Sequence, residues 1–327
     1  MRIRGINING FILSLFLAML VAYLFPQAAT LLALDQVTDI GIGLIFFFYG
    51  LKLSVESFRN GISNYRLHIL IQLSTFVLFP LLVLPFKPLI QDETLHLLWV
   101  GVFFLAVLPS TVSSSVIMVS IARGNIAGAI FNASISGLIG VVATPLWLGL
   151  IVEEMQGISF LDVFSKLMLQ IVLPLGLGIL LHPRFGSFAI KHNKLIGLFD
   201  KTMIVLIVYA SFSASFIAHL FSGLKWTHFL LLYASVLVFF FLMLLLIDVI
   251  AKRLNFSTED RITALFCGSK KSLVHGSVMA KVMFGSSPNA SLYILPVMLY
   301  HISQILIIAL IAEKFNKRKR TEVRVKS

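Results

Sequence analysis

The stretch PSTVSSS at residues 109–115 interrupts an apolar run that extends from residue 95 to residue 121. Pro109 lacks an amide hydrogen and its ring clashes with the preceding helical turn, so a continuous helix is strained there. Serine side chains can hydrogen-bond the backbone groups that such a break releases. The sequence therefore predicts a helix that is broken within its span.

A second interruption, GSKKS at residues 268–272, lies within the apolar run 261–284 and is followed by His275, Gly276 and Ser277. The two interruptions begin 159 residues apart, which is close to half of the 327-residue chain. Each falls in the fourth helix of a predicted set of five. The two breaks therefore occupy matching positions in two halves.

Paired interruptions at corresponding positions are the best sequence indication of a secondary transporter built from inverted repeats. Because five is an odd number, the second half enters the membrane from the opposite side, and the two breaks are predicted to meet near the bilayer midplane. Each break supplies a half-helix N-terminus, whose partial positive charge favours an anion. Unwound carbonyls beside it can bind a cation.

The composition indicates an integral membrane protein. Hydrophobic residues make up 58% of the chain and charged residues 12%, whereas soluble domains carry about 45–50% and about 25%. The net charge of +12 comes from short basic runs between apolar segments, and this arrangement disfavours a nucleic-acid binder. The apolar composition likewise disfavours a soluble enzyme or a disordered chain. A single cysteine excludes a disulfide framework, and no Cys/His spacing is typical of zinc, so no metal or cofactor is predicted.

Crossing the hydrocarbon core takes about 20 mainly apolar residues. Ten such stretches are predicted, at 10–25, 37–51, 67–86, 95–121, 126–151, 161–182, 198–220, 227–250, 261–284 and 290–313. The predicted fold is an all-α polytopic membrane protein whose ten transmembrane helices form two inverted five-helix repeats. The repeats cover residues 1–151 and 152–313, and a basic cytoplasmic tail follows at 314–327.

The distribution of lysine and arginine predicts the orientation, because cytoplasmic loops carry an excess of both. One set of connections, with the two termini, holds 20 of the 26 basic residues, and the alternate connections hold three. Both termini are therefore predicted to be cytoplasmic, in a multi-pass protein of the plasma (inner) membrane. The remaining three, Lys270, Lys271 and Lys281, lie within the ninth predicted span and need an explanation.

Several short motifs carry a family resemblance: Ala-Arg-Gly-Asn at 122–125, Gly-Leu-Lys-Leu-Ser at 50–54, and Tyr300-His301 with Gln304 in the last span. With these motifs the chain resembles the bile acid–sodium symporter family.

The resemblance covers roughly residues 5–313. It is strongest to a divergent branch, the bile acid cotransporter-like proteins, whose ninth helix is similar to Cys-Gly-Ser-Lys-Lys-Ser-Leu at 267–273. It implies ten helices, with a panel domain of spans 1, 2, 6 and 7. The core domain of spans 3–5 and 8–10 then holds two discontinuous helices that cross.

The resemblance also implies where two sodium ions would bind in the sodium-coupled members. The fourth-helix serine ligand falls on Ser115, but the adjacent asparagine falls on Val116. The two hydroxyl ligands of the fifth helix fall on Ala129 and Ala133. Hard cations need oxygen ligands, which alkyl groups do not offer.

In the ninth helix, the family's glutamate ligand falls on Phe266 and its glutamine on Lys270. A third-helix glutamine falls near Thr75, with Gln72 one turn away. An ammonium about 4 Å from a sodium ion would repel it by about 4 kcal/mol at an effective dielectric constant of 20. The usual sodium sites are therefore predicted to be replaced by lysine.

Charges within a membrane protein are costly and usually functional. Three interpretations of Lys270 and Lys271 stay open. In the first, an ammonium replaces sodium as a built-in counter-charge against half-helix carbonyls and the serines at 113–115. In the second, a buried lysine loads and releases a proton. In the third, the two lysines bind an anionic substrate.

The candidate substrate and ion site comprises the two breaks and nearby polar residues: Ser113, Ser114, Ser115, Asn132, Ser269, Lys270, Lys271, Ser272 and His275. Four residues are predicted to support it: Thr75, Gln72, His301 and Gln304. His275 is interpreted as a satisfied core histidine, with a proton relay as the alternative. Asn132 is interpreted mainly as helix packing.

The predicted function is secondary active transport of a small-molecule organic anion by alternating access at the crossover of the two broken helices. One alternative is coupling to protons rather than to sodium, and another is a non-transporting or regulatory membrane protein that retains the symporter fold. An enzyme is not predicted, since Ser277 near His275 lacks an organised third partner. The predicted partners are the lipid bilayer, the anion and a coupling proton or sodium ion, and no nucleic acid.

Overall fold

The computed structural model of the chain describes residues 2–3, 6–7, 10–52, 64–90, 92–111, 113–152, 165–217, 225–285, 287 and 289–326. Two two-residue strands, β1 (Arg2–Ile3) and β2 (Ile6–Asn7), pair antiparallel ahead of the first helix. The start of the sixth predicted span at 161–164, the end of the 50–54 motif and Val112 lie outside the described residues.

The helices of the first half are α1 (Gly10–Leu24), α2 (Ala28–Leu31), α3 (Leu34–Lys52), α4 (Tyr65–Leu73), a π-helical turn (Ser74–Leu78), α5 (Phe79–Val83), a 3-10 turn (Leu84–Leu89), α6 (Glu93–Val107), α7 (Ser113–Ile121) and α8 (Ile126–Ile151). Those of the second half are a π-helical turn (Met168–Val172), α9 (Leu173–Lys191), α10 (Asn193–Ile217), α11 (Trp226–Arg253), α12 (Thr258–Gly268), α13 (Leu273–Phe284) and α14 (Ala290–Lys326).

Within the described ranges, seven helical stretches are long and apolar enough to cross a membrane: Leu34–Lys52, Tyr65–Lys87, Ile126–Ile151, Ser165–Lys191, Asn193–Ile217, Trp226–Arg253 and Ala290–Asn316. Leu13–Leu24 and Glu93–Val107 are shorter apolar helices. The protein is thus a polytopic helical membrane protein. The count of ten spans and the inverted repeat stay predictions.

Both predicted interruptions are confirmed. Helix α6 ends at Val107 and α7 begins at Ser113, while α12 ends at Gly268 and α13 begins at Leu273. The predicted end of the sixth stretch at residue 182 does not coincide with the end of its helix, because α9 continues through Pro183 to Lys191. Its last turns are less apolar but still pack, since Ala189 joins a buried cluster with Leu51 and Ile196.

The chain divides into two compact units. The first contains residues 1–54, 152–225 and 277–294, and the second contains residues 55–151, 226–276 and 295–327.

In the first unit, α3 and α9 cross with their backbones in contact. A Cβ atom on Gly178 would lie 2.2 Å from the carbonyl oxygen of Phe47, and one on Gly50 would lie 2.3 Å from that of Leu175. Small residues at such a crossing let membrane helices approach closely. The same unit holds an ion pair between Lys281 and Asp35 and a hydrogen bond from Ser291 Oγ to Ser215 Oγ.

Gly178→Ala is expected to destabilise the protein by about 1–3 kcal/mol, because the added methyl group meets backbone atoms that cannot rotate away. Gly176→Ala, on the same helix, is the matched control, since a Cβ there has nothing within 4 Å. Thermal unfolding in detergent measures both variants against the parent chain. Equal unfolding temperatures for the two variants would contradict the close crossing.

In the second unit, the carboxylate of Asp260 fixes the start of α12. It accepts hydrogen bonds from the side-chain amides of Asn64 and Asn125, both at 2.8 Å, and so joins α12 to the starts of α4 and α8. Near the end of α11, Asp248 pairs with Lys252 at 2.6 Å and with Arg261 of α12. The first half of the broken helix is therefore held at its N-terminal end by charged and amide groups.

Candidate functional site

Direct hydrogen bonds join the two helix breaks within the second unit. The backbone amide of Ser272 donates to the carbonyl of Pro109 at 2.9 Å. In return, the hydroxyl of Ser110 donates to the carbonyl of Cys267 at 2.6 Å. These reciprocal bonds satisfy backbone groups that the interrupted helices leave unpaired. The broken segments therefore meet at one crossing.

Lys271 places its ammonium at the C-terminal end of α6. The side chain is 1% exposed, and Nζ donates to the carbonyls of Ala106 at 2.6 Å, Leu108 at 2.8 Å and Thr75 at 2.8 Å. An ammonium has three donors, and here all three are used. A cation at a helix C-terminus also interacts favourably with the helix dipole.

Pro80 explains why the carbonyl of Thr75 is free to accept a hydrogen bond from Lys271. In the π-helical turn, the amide of Phe79 donates to Ser74, five residues back. By the same pattern, the carbonyl of Thr75 would accept from residue 80, but Pro80 has no amide hydrogen. The ammonium of Lys271 supplies the missing donor.

Helix breakage frees the other two carbonyls. The amide of Ser110 would bond the carbonyl of Ala106 in a continuous helix, but it donates instead to Ser136 Oγ at 3.0 Å. The carbonyl of Leu108 lies beyond the last residue of α6. A buried carbonyl without a donor costs about 1–3 kcal/mol, so the ammonium stabilises this end of the helix.

The backbone of Lys271 is also held by hydrogen bonds. The side-chain amide of Gln304 accepts from the Lys271 amide at 2.9 Å and donates to its carbonyl at 2.7 Å. His301 Nδ1 lies 3.0 Å from Gln304 Nε2, and the ring of Phe79 lies 4.8 Å from Lys271 Nζ. Cation–π contact adds to the stabilisation of a desolvated ammonium.

Lys270 points to a different set of groups. The residue is 0% exposed, and its Nζ donates to Ser114 Oγ at 2.7 Å. Ser114 Oγ in turn donates to Thr111 Oγ1 at 3.0 Å, and Thr111 Oγ1 lies 2.8 Å from Ser115 Oγ. One ammonium therefore faces a hydroxyl cluster at the start of α7, while the other binds carbonyls at the end of α6.

The remaining polar residues of the second break bond mainly to their own segment. Ser269 Oγ donates to the carbonyl of Leu265 at 2.6 Å, and the Ser269 carbonyl accepts from the hydroxyl of Tyr300. Ser272 Oγ accepts from the amide of His275 at 3.2 Å and lies 3.0 Å from its ring Nδ1, at the start of α13. The side chain of Ser113 lies outside the described part of the chain.

The structure places Asn132 and Gln72 in a second polar cluster. The amide nitrogen of Asn132 lies 2.7 Å from His68 Nδ1 and donates to the carbonyl of Gly128 at 2.8 Å. Gln72 Nε2 donates to Asn132 Oδ1 at 3.1 Å. Among the described hydrogen bonds, none joins this cluster to either lysine, and its members instead connect α4 to α8.

The structure also separates the three lysines of the ninth predicted span. Lys281 pairs with Asp35 in the first unit. For Lys270 and Lys271, the described residues offer hydroxyl and carbonyl oxygens but no carboxylate within ion-pair distance. Two buried lysine amines, which among the described residues contact hydroxyl and carbonyl oxygens, form the central chemical feature of the crossing.

Sequence reasoning missed Thr111 and Phe79, and it proposed half-helix carbonyls as lysine partners without identifying those of Ala106 and Leu108. A sequence signal existed for the π-helical turn, since Pro80 removes the donor five residues after Thr75. The sequence did not identify which carbonyls of α6 contact the ammonium, because which backbone oxygens face a side chain depends on how the segments cross.

Comparison with known proteins gives consistent matches over nearly the whole chain. Residues 9–317 match the model of the SBF-like CPA transporter family. A Pseudomonas aeruginosa protein named "Uncharacterized protein PA2026" is 39% identical over 313 residues, covering 95% of this chain and 94% of that one. The Escherichia coli protein named "Putative symporter YfeH" is 34% identical over 315 residues, with the same coverage of each chain.

A more distant relative is the sodium/bile acid cotransporter 7 of Xenopus tropicalis, which is 29% identical over 276 residues, covering 83% of this chain and 80% of that one. These matches bear out the resemblance drawn from residues 122–125, 267–273 and the last span, and they identify a membrane transporter rather than an enzyme. The chain belongs to the SBF-like CPA transporter family.

Proposed function

We propose that this protein is a secondary active transporter of a small organic anion, working by alternating access at the crossing of the two broken helices. The observation that carries the proposal is the pair of buried ammonium groups at the joined breaks, one against hydroxyls and one against carbonyls. Intramembrane charge of this kind marks substrate and ion pathways. The starts of α7 and α13 at the same crossing add partial positive charge.

We propose further that Lys271 fills the position of a bound metal cation. Three carbonyl oxygens within 2.6–2.8 Å of one positive group are the environment that a hard cation also prefers. The positions aligned with other sodium ligands, Ala129, Ala133 and Phe266, are buried apolar side chains. The protein then carries its own fixed charge where sodium-coupled members take up an ion.

Lys270 is proposed as the group that binds the anion or exchanges a proton during transport. Its Nζ has one described hydrogen bond, to a hydroxyl that itself belongs to a rearrangeable cluster. A hydroxyl can donate or accept, so this cluster can accommodate either a charged or a neutral amine. Lys270 can therefore bind an anion or exchange a proton without disturbing the carbonyls of α6.

The ten-span topology, with both termini in the cytoplasm and inverted repeats at 1–151 and 152–313, completes the proposal. It places the crossing near the bilayer midplane of the inner membrane. The alternative, a non-transporting or regulatory protein, predicts no uptake above that of empty vesicles in any uptake measurement.

Uptake from a mixed pool of small organic anions into vesicles tests the function. The purified protein is reconstituted, and uptake is measured with sodium or choline as the external cation and with or without an inward proton gradient. Saturable uptake that is equal in sodium and choline is expected, and the proton gradient should drive accumulation if Lys270 exchanges a proton. Accumulation that requires sodium would contradict the replacement by Lys271, and no uptake above empty vesicles would favour the non-transporting alternative.

A further inference from the structure

An apolar cavity of about 600 Å³ lies in the second unit, away from the two lysines. It is formed by α5, by the 3-10 turn, by the first turns of α6 and by α11, and its wall includes Leu82, Leu98, Trp99, Leu232, Val238 and Phe239. Ligand pockets usually measure about 300–1,000 Å³, so this one can hold a sizeable group.

The wall is almost entirely hydrocarbon and aromatic. Of its polar side chains, Trp99 donates to the carbonyl of Val83 at 3.3 Å, and Ser235 donates to that of Leu232 at 2.8 Å. His228 is the exception, because its buried Nδ1 has no partner among the described residues. This unpaired ring nitrogen lies at the end of the cavity nearest the start of α11.

The cavity is continuous with the apolar surface of a membrane-crossing helix. Val238 is 62% exposed and Leu231 is 56% exposed, although both line the cavity. From His228 to Leu242 it follows α11 for about 21 Å, at about 1.5 Å per residue. One leaflet, including its headgroup region, is about 20–22 Å thick, so the length of the cavity matches one leaflet.

We propose that this cavity binds an acyl chain of a membrane phospholipid, with the headgroup at the end that holds His228. Burial of methylene groups against the wall contributes about 0.8 kcal/mol each. The headgroup phosphate can accept a hydrogen bond from His228, which accounts for the unpaired ring nitrogen.

The bound chain would also support the crossing. Phe239 lines the cavity, and its ring centroid lies 6.3 Å from that of Phe79, whose face carries the Lys271 ammonium. An acyl chain against Phe239 therefore fills the space behind the aromatic wall of the lysine site. An empty cavity would leave the ring of Phe239 without contacts on the side that faces the cavity.

Tryptophan fluorescence can test occupancy because Trp99 lies in the wall and is only 4% exposed. Trp147→Phe and Trp226→Phe leave Trp99 as the sole tryptophan. The protein is reconstituted into phosphatidylcholine vesicles whose acyl chains are either native or brominated at mid-chain. Contact within about 4 Å of bromine is expected to reduce the Trp99 emission about twofold.

Ala234→Phe or Val238→Phe fills the cavity and should restore the emission in brominated vesicles. Leu245→Phe is the matched control, since Leu245 lies seven residues after Val238, is 59% exposed and does not line the cavity. It should leave the quenching unchanged.

Two outcomes would overturn the proposal: equal emission in the two kinds of vesicle, or quenching that both cavity-filling variants retain. Displacement of the quenching by the water-soluble anion pool would assign the cavity to the substrate instead of a lipid. None of these measurements requires transport, so the lipid site and the transport function can fail separately.

Discussion

Lys271→Met is expected to destabilise the protein by about 3 kcal/mol or more, the largest single-residue effect at the crossing. The substitution keeps most of the side-chain volume but removes the three donors that satisfy the carbonyls of Thr75, Ala106 and Leu108. Each unsatisfied buried carbonyl costs about 1–3 kcal/mol. Release of the buried charge offsets part of this loss, since a desolvated ammonium is itself costly. The measurement is thermal or denaturant unfolding of the purified protein in detergent.

Lys252→Met provides the control for this prediction. It is the same substitution in a lysine that is 57% exposed and pairs with Asp248 at 2.6 Å near the end of α11. Exposed ion pairs contribute about 0–1 kcal/mol, so its unfolding should stay close to that of the parent chain. If Lys271→Met unfolds at the same temperature as Lys252→Met, the ammonium does not stabilise the break, and the comparison with a bound cation must be abandoned.

Lys270→Gln is expected to reduce uptake to the level of empty vesicles while the protein remains folded. Glutamine can still donate to Ser114 Oγ, so the local hydrogen bond survives, but it carries no charge and exchanges no proton. Vesicle uptake and thermal unfolding are measured on the same preparation. Lys270→Gln should therefore reduce transport without unfolding the protein, whereas Lys271→Met should lower its stability.

Lys281→Gln tests whether the charge matters at Lys270 specifically. Lys281 lies near the end of α13 and pairs with Asp35, whose side chain is 78% exposed and can be solvated alone. This variant should retain uptake. Undiminished uptake in Lys270→Gln would remove that lysine from the mechanism, and restored uptake in Lys270→Arg would indicate that charge alone, without proton exchange, is required.

Local chemistry made the broken helices predictable. Pro109 removes an amide hydrogen wherever it stands, and the serines and glycine around it and around Gly268 offer the backbone other conformations and other hydrogen bonds. Hydropathy located the long helices for a similar reason, since a lipid-exposed segment must be apolar over its whole length. The eighth predicted stretch, 227–250, lies within α11, and the fifth, 126–151, coincides with α8.

Some polar partners across helices were not predictable. Asn132 stands in the middle of a helix that lies beside the crossing, yet its amide bonds to His68 and not to a lysine. A helix sequence gives the side of the helix that a residue occupies but not which neighbour packs there. Likewise, the acyl-chain cavity depends on α6 and α11, which are more than a hundred residues apart in the chain.

The sequence by itself determined that this is a membrane protein with two interrupted helices and an unusual pair of adjacent lysines, because proline, glycine and buried charge act through short-range chemistry. Only the tertiary structure decided which groups each lysine contacts. On an irregular backbone, neighbouring side chains can point in unrelated directions, and the crossing turned Lys271 toward carbonyls and Lys270 toward hydroxyls. That division follows from long-range packing, which places Thr75 and Ala106 around one ammonium although they are 31 residues apart in sequence.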